Sequence, residues 1–278
     1  MLSGTMGVPQ LPVSRLGQRM DDDRTEGCPQ VSKWLAESLR LTCFPVPAPA
    51  PDPSRWWTDV VGEEPASTTT RLRGALRIFE GPLARCTLRL SAQPPRVDWE
   101  LLPPAPQDPE NSLIPPTIGP FAEVLADFGR LAERWFASGA YPRASRLALG
   151  ATLHYPVESR EGGYALAAHY LSRSVQVDPR SRELLYRINR RRASSGMAGL
   201  ELNRLNTWTV MLFTQVASLS GGRRESAFPL VETSTLRLEM DVNTAADYVG
   251  EFTSDNSGVV FKELAALALE IAEKGDIP

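Results

Sequence analysis

A chain of 278 residues that is 42% hydrophobic and 23% charged can bury a sizeable core, which excludes a wholly disordered polypeptide and leaves one large or two small domains as the expected organisation. A net charge of −3 gives no chain-wide attraction to a polyanion, and no apolar run approaches the ~20 residues that span a bilayer. Three scattered cysteines, Cys28, Cys43 and Cys86, with only two histidines to join them, argue against a zinc site of ordinary spacing and suit a reducing compartment.

The N-terminus carries no basic segment followed by an apolar core, so the expected location is the cytoplasm. Only Lys33, Lys262 and Lys274 are lysines among the 30 basic residues; the rest are arginine. With abundant Ala and Pro, this reads as the coding bias of a high-GC bacterium. It also means that an arginine's presence alone says little about guanidinium chemistry.

Residues 1–30 show no period of 2 or 3.6 and read as a flexible tail holding the acidic triplet Asp21, Asp22 and Asp23. From Glu37 to Pro45 the alternation of Leu39, Leu41 and Cys43 predicts a first strand. The proline-rich run 45–53 predicts an extended connection, and Ser54 an N-cap for a short helix to Val61 whose Trp56 and Trp57 anchor it on a sheet. Runs at 71–79, 84–91 and 96–103 predict three strands, with turns at Glu80-Gly81-Pro82 and Gln93-Pro94-Pro95. After a proline-rich loop over 103–120, Phe121, Val124, Leu125, Phe128, Leu131, Trp135 and Phe136 repeat at helical spacing, and Ser138-Gly139 ends that helix.

The order then restarts. A strand is predicted over 145–157 and a helix over 162–175. Short β-branched and aromatic runs, LLYRINRRR, GLELNRLN, TWTVMLFTQVASL and PLVETSTLRLEMDVN, predict consecutive antiparallel strands between Glu183 and Asn243. An amphipathic helix over 257–274 closes the chain, with Phe261, Leu264, Leu267 and Ile271 expected in the core. The fold class that follows is α+β: a tail over 1–30, a first lobe over 31–142 and a second over 143–278, each strand, helix, antiparallel strands, long helix. This element order is similar to that of TATA-binding-protein-like folds, in which two halves form one continuous curved antiparallel sheet with long helices on one side. The resemblance is one of topology and gives no residue a role.

No stretch carries a catalytic motif. There is no G-x-S-x-G serine and no glycine-rich phosphate cradle; Gly221-Gly222 reads as a turn. His154 and His169, with Glu158 and Glu161 between them, lack a recognised ligand spacing. Asp98 with Glu100, and Glu239 with Asp241, each share one face of a strand, as paired carboxylates for Mg²⁺ would, but no lysine stands where a strand-based nuclease needs one. The solvent face of a sheet is the simpler reading. No catalytic residue, metal or cofactor is expected.

The remaining signal is charge. Between Leu171 and Arg224 stand ten arginines against three acidic residues, and Tyr186 and Trp208 lie among them as stacking residues do on single-strand-binding sheets. Arg187, Arg190, Arg191, Arg192, Arg204, Arg223 and Arg224 are the candidate binding residues. Three adjacent guanidinium groups repel one another and have no acidic neighbour in sequence, so Arg190, Arg191 and Arg192 are expected at an exposed surface beside the turn 193–196. The favoured function is that of a non-catalytic partner-binding or regulatory protein, acting on a protein partner or through self-association by a basic surface of the second lobe. Nucleic-acid binding through 171–224, and an enzyme or ligand pocket beneath a long helix, stand as alternatives.

Overall fold

A computed structural model describes residues 34–46, 52–71, 75–104, 115–178, 180–218 and 227–276, with the side chains of 215–218 and 227–231 left out. The predicted N-terminal tail, Arg223 and Arg224 lie outside the described residues. Within them the chain forms one mostly antiparallel sheet of ten strands and four helices, an α+β fold.

In chain order the elements are β1 (Leu35–Pro45), α1 (Pro53–Val61), β2 (Ser67–Arg71), β3 (Leu76–Leu83), β4 (Cys86–Gln93), β5 (Arg96–Leu102), β6 (Gly119–Pro120) and α2 (Phe121–Ala137). They continue with β7 (Ala144–Val157), α3 (Arg160–Tyr170), β8 (Leu185–Ala193), β9 (Glu201–Ser218), β10 (Ala227–Thr244) and α4 (Ser254–Lys274). Across the sheet the order is β2-β3-β4-β5-β1-β7-β10-β9-β8, with the two-residue β6 also on β1. The first-half strands thus occupy one side and the second-half strands the other, and β1 meets β7 at the centre.

Alternation fixes which face each residue takes. Phe79, Leu90, Trp99, Leu41, Leu149 and Val242 stand in one register row, all buried. All four helices pack on this face. Trp57 of α1 stacks on Trp99 at 6.1 Å, and Trp56 meets Trp135 of α2 edge-on at 5.9 Å. Phe128 and Phe136 of α2 touch Phe261 of α4. A second aromatic group joins Trp34, Tyr155, Tyr170 and Trp208, and the Trp34 indole N–H donates to the Ala272 carbonyl of α4 at 2.8 Å. Phe121, Leu125, Phe128, Trp135, Phe261, Leu264, Leu267 and Ile271 are buried as their spacing predicts.

Several boundaries differ from the sequence reading. The polar run Ser67–Arg71 is strand β2, an edge strand with no apolar alternation to reveal it. Glu80-Gly81-Pro82 is inside β3 and not a turn: Gly81 lets the Trp57 ring come within 3.0 Å of where a Cβ would stand. The reversal falls one step later, at Ala84 with φ +52°. The helix over 53–61 is capped by Asp52, whose carboxylate accepts from the Ser54 N–H at 3.0 Å, with Pro53 as its first residue. The runs at 200–206 and 207–218 are one strand, β9, because Asn206 and Thr207 continue the alternation. Helix α3 ends at Tyr170, five residues before the predicted limit. From Phe213 and its partner Thr233 outward β9 and β10 pair only with each other, since β8 stops at Thr209's partner Leu185 and β7 at Ser234's partner Val157.

Candidate functional site

The sheet face opposite the helices carries polar and charged residues in register. One row crosses all nine strands of the main path: Ser67, Glu80, Arg89, Glu100, Arg40, Gly150, Asp241, Leu205 and Asn189. Carboxylates and guanidiniums alternate along its first half, so each is flanked by the opposite charge on the next strand. Arg89 Nε lies 2.6 Å from Glu80 Oε1, and its Nη1 3.6 Å from Glu100 Oε2. The neighbouring row holds Ser91, Asp98, Thr42, Ala148, Asn243, Asn203 and Arg191. There the Thr42 hydroxyl donates to Asp98 at 2.5 Å, Arg96 pairs with Asp98 at 2.7 Å, and the Asn203 amide donates to Asn243 at 3.0 Å.

The paired carboxylates Asp98 with Glu100 and Glu239 with Asp241 therefore do share this face, as their spacing predicts. They are separated across the sheet by β1 and β7 and engaged by separate partners. Glu239 lies 2.5 Å from Arg237 Nη1, and Asp241 accepts from the Asn243 amide at 3.0 Å. Among the described residues no group of three or more His, Cys, Asp or Glu side chains could hold a metal. His154 is buried on this face with Nε2 2.5 Å from Glu37 Oε2, while His169 is exposed near the end of α3. The His154 hydrogen bond, opposed by burial and aided by the His154 and Arg237 charges, holds the Glu37 carboxyl below its usual range. Cys43 faces the core, where burial pushes its thiol up to about 12 and so opposes thiolate chemistry.

Two hollows indent the face on either side of Arg40 and Asp98. One, of about 130 Å³, lies over Gly150 and is lined by Ser38, Arg40, Glu100, Thr152 and Glu239. The other, of about 380 Å³, lies toward one end of the strands among Phe44, Leu76, Pro94, Pro95, Arg96 and Asp98. Arg146 stacks over the Phe44 ring at 5.2 Å beside it. Gly150 marks the centre. A glycine inside a strand signals close approach of another group, and here Arg40 lies across it. Neither residue stood out in the sequence, although Arg40 between Leu39 and Leu41 is outward by alternation.

The candidate arginines divide between the two faces. Arg187 and Arg191 share the helix-free face, and Arg191 Nη1 lies 2.9 Å from Glu201 and 3.3 Å from Asp247. Arg190, Arg192 and Arg204 point to the helix face. Arg190 grips Asp276 through Nε at 2.5 Å and Nη2 at 2.9 Å, and the Tyr186 hydroxyl donates to the same carboxylate at 2.7 Å. Arg192 pairs with Glu270 of α4 at 2.7 Å, and Arg204 is buried beneath that helix. The Arg190 hydrogen bond holds the Asp276 carboxyl below its usual range. For Glu270 burial pushes upward, and the Arg192 hydrogen bond and charge more than offset it. The expectation that Arg190, Arg191 and Arg192 form one exposed surface is thus corrected. Alternation separates them, and the acids that pair with Arg190 and Arg192 come from the end of the chain, far away in sequence.

No protein-family model matches this chain, no curated protein matches it in sequence, and no solved structure matches it.

Proposed function

We propose that this protein is a non-catalytic partner-binding protein of the bacterial cytoplasm that docks its partner on the helix-free face of the sheet. The observation that carries this reading is the run of register-matched, alternating charges Glu80, Arg89, Glu100 and Arg40 on four neighbouring strands, ended at Gly150 by a hollow. One solvated face is ordinary for an antiparallel sheet. A solvated face does not need charges that alternate strand by strand, nor a glycine that opens a hollow at its middle. Fixed alternating charges select a partner by electrostatic complementarity and set its register. They suit a folded protein better than a nucleic acid, because Glu100, Glu239 and Asp241 interrupt any track of guanidiniums along which a phosphate backbone could run. Arg187 and Arg191, at the β8 edge of the same face, supply its basic margin.

The test is co-purification of the tagged full chain from its source cells after cross-linking, wild type beside two reversed-charge variants. Glu100→Arg with Glu239→Arg alters the helix-free face. Asp127→Arg with Arg130→Glu alters the exposed side of α2. A partner lost by the first and retained by the second supports the reading. A partner indifferent to the first, or nucleic acid recovered in a salt-dependent manner in its place, overturns it.

A further inference from the structure

The hollow over Gly150 has a floor of unusual geometry. A Cβ built on Gly150 would lie 3.2 Å from Arg40 Nη2, 3.5 Å from Cζ and 3.5 Å from Nε. Three atoms of a planar group nearly equidistant from one point put that point above the plane and not at its edge. The guanidinium of Arg40 therefore lies flat across the backbone of β7. One of its faces covers Gly150, and the side chain lines the hollow.

Arg40 is also only weakly engaged. Its side chain is 39% exposed, and among the described residues its one carboxylate within 4 Å is Asp98, 3.9 Å from Nε. Nε itself is buried without a hydrogen-bond partner. Asp98 is already held by Arg96 and Thr42, Glu100 faces Arg89, and Glu239 faces Arg237. The open plane of a weakly paired cation attracts the negative face of an aromatic ring. Around its rim stand acceptors: the carboxylates of Glu100 and Glu239 and the hydroxyls of Ser38 and Thr152. A phosphate or carboxylate entering here would meet those two carboxylates. A second guanidinium would stack like charge on like.

We infer that Arg40, laid flat over Gly150, is a stacking platform for one aromatic side chain of the partner, a phenol or an indole, whose O–H or N–H reaches Glu100 or Glu239. This deepens the partner-platform reading and rests on it. Glycine at 150 lets the guanidinium lie this low: a Cβ 3.2 Å from Nη2 would push it by a few tenths of an ångström, at little cost to the fold because the displaced atoms are the far end of a flexible side chain.

The test uses the ¹⁵N-labelled full chain titrated with N-acetyl-tyrosinamide and N-acetyl-tryptophanamide, with N-acetyl-leucinamide and inorganic phosphate as controls. The Gly150 amide and the Arg40 Nε–H signals are followed. The aromatic amides should give saturable upfield ring-current shifts at both signals, and the controls should not. Gly150→Ala should weaken this binding at least about tenfold with an unchanged or higher melting temperature. Arg40→Lys, which keeps the charge and loses the plane, should do likewise. Equal shifts from leucinamide, shifts that survive Gly150→Ala, or no saturable shift up to the solubility of the probes would overturn the inference. So would a shift driven by phosphate, which would mark an anion site. A partner recovered from cells that is lost on reversing Glu100 and Glu239 but bound undiminished by Gly150→Ala would sink the aromatic subsite alone and leave the platform standing.

Discussion

Replacing Asp276 by Asn tests whether the arginine-rich edge of the sheet is held by the end of the chain. The Asp276 side chain is fully buried, 0% exposed, and accepts three hydrogen bonds, two from Arg190 and one from Tyr186. Asn keeps one acceptor and turns an amide N–H₂ toward a donor. A hydrogen bond to a charged group contributes about 1.5–3 kcal/mol, and leaving a buried partner unsatisfied costs the desolvation of that group. Against this, Arg190 is 26% exposed and can turn partly to water. The balance is a loss of about 2–4 kcal/mol, or a fall in melting temperature of very roughly 5–12 °C for a chain of this size. The loss should depend on pH. The Arg190 hydrogen bond depresses the Asp276 pKa in the folded state. The carboxylate's contribution is therefore complete above the unfolded value near ~3.9 and drains away as pH falls through the lower, folded value. Urea denaturation of both proteins at neutral pH and at steps below pH 4 reads this directly: the gap should be widest near neutrality and narrow in acid. A neutral-pH loss below about 0.5 kcal/mol, the range of ordinary surface substitutions, or a gap that widens on acidification, would refute it.

Gly275 has φ +78°, and a Cβ there would lie 1.9 Å from the Tyr170 carbonyl oxygen, so Gly275→Ala should displace Asp276; its loss should match or exceed that of Asp276→Asn, and the double variant should lose less than the sum in a denaturation cycle. Gly163→Ala puts a Cβ 2.7 Å from Val210 Cγ1, where α3 crosses the β9–β10 pair, and should cost about 1–3 kcal/mol; Gly129→Ala in α2, with nothing within 4 Å, should instead stabilise by about 0.5–1 kcal/mol on the same melting assay. Arg190→Gln should destabilise nearly as much as Asp276→Asn, whereas Arg191→Gln, 47% exposed, should change stability by less than ~1 kcal/mol; equal losses for the two neighbours would refute their assignment to opposite faces. Leu125→Ala and Leu264→Ala, both buried between the sheet and α2 or α4, should each cost about 2–5 kcal/mol in urea unfolding, and losses below about 1 kcal/mol at both would refute the helix placement.

What the sequence shows clearly is the apolar period. Leu39, Leu41 and Cys43 reveal β1, and Phe121, Leu125, Phe128 and Trp135 reveal α2, because a buried stripe must repeat with the geometry of its element. Where burial is one-sided or absent the signal fades. Ser67–Arg71 is an edge strand exposed along most of its length, so its residues answer to no period. Gly81 reads as a turn in sequence, yet its role is to admit the Trp57 ring, a contact between segments that no local pattern encodes. The pairing of Arg190 with Asp276 has the same character: 86 residues separate them. Asp98, Glu100, Glu239 and Asp241 could be assigned to strand faces from spacing alone. That all four share one face, with Arg40 and Gly150 between them, depends on the strand order, which places β1 against β7 at the centre of the sheet.

That order also explains how one arginine-rich strand serves two purposes. In β8 successive residues reach opposite faces. Arg190 and Arg192 are tied to Asp276 and Glu270, so they fasten an edge strand to α4. Arg187 and Arg191 join the face without helices, where charges are balanced sideways, from strand to strand, by residues such as Glu201. A charge paired inside the helix layer is committed to the fold, because removing its partner leaves it in a poorly solvated place. A charge paired sideways on an open face keeps access to water and can exchange a neighbour for a group on another molecule at small cost. Arg40 stands toward the weakly paired end of that scale, with its nearest carboxylate 3.9 Å away and its guanidinium over Gly150. The local excess of arginine in the sequence therefore points at the sheet edge, while a further weakly paired guanidinium, that of Arg40, lies at the sheet centre, in a stretch of β1 that composition does not mark.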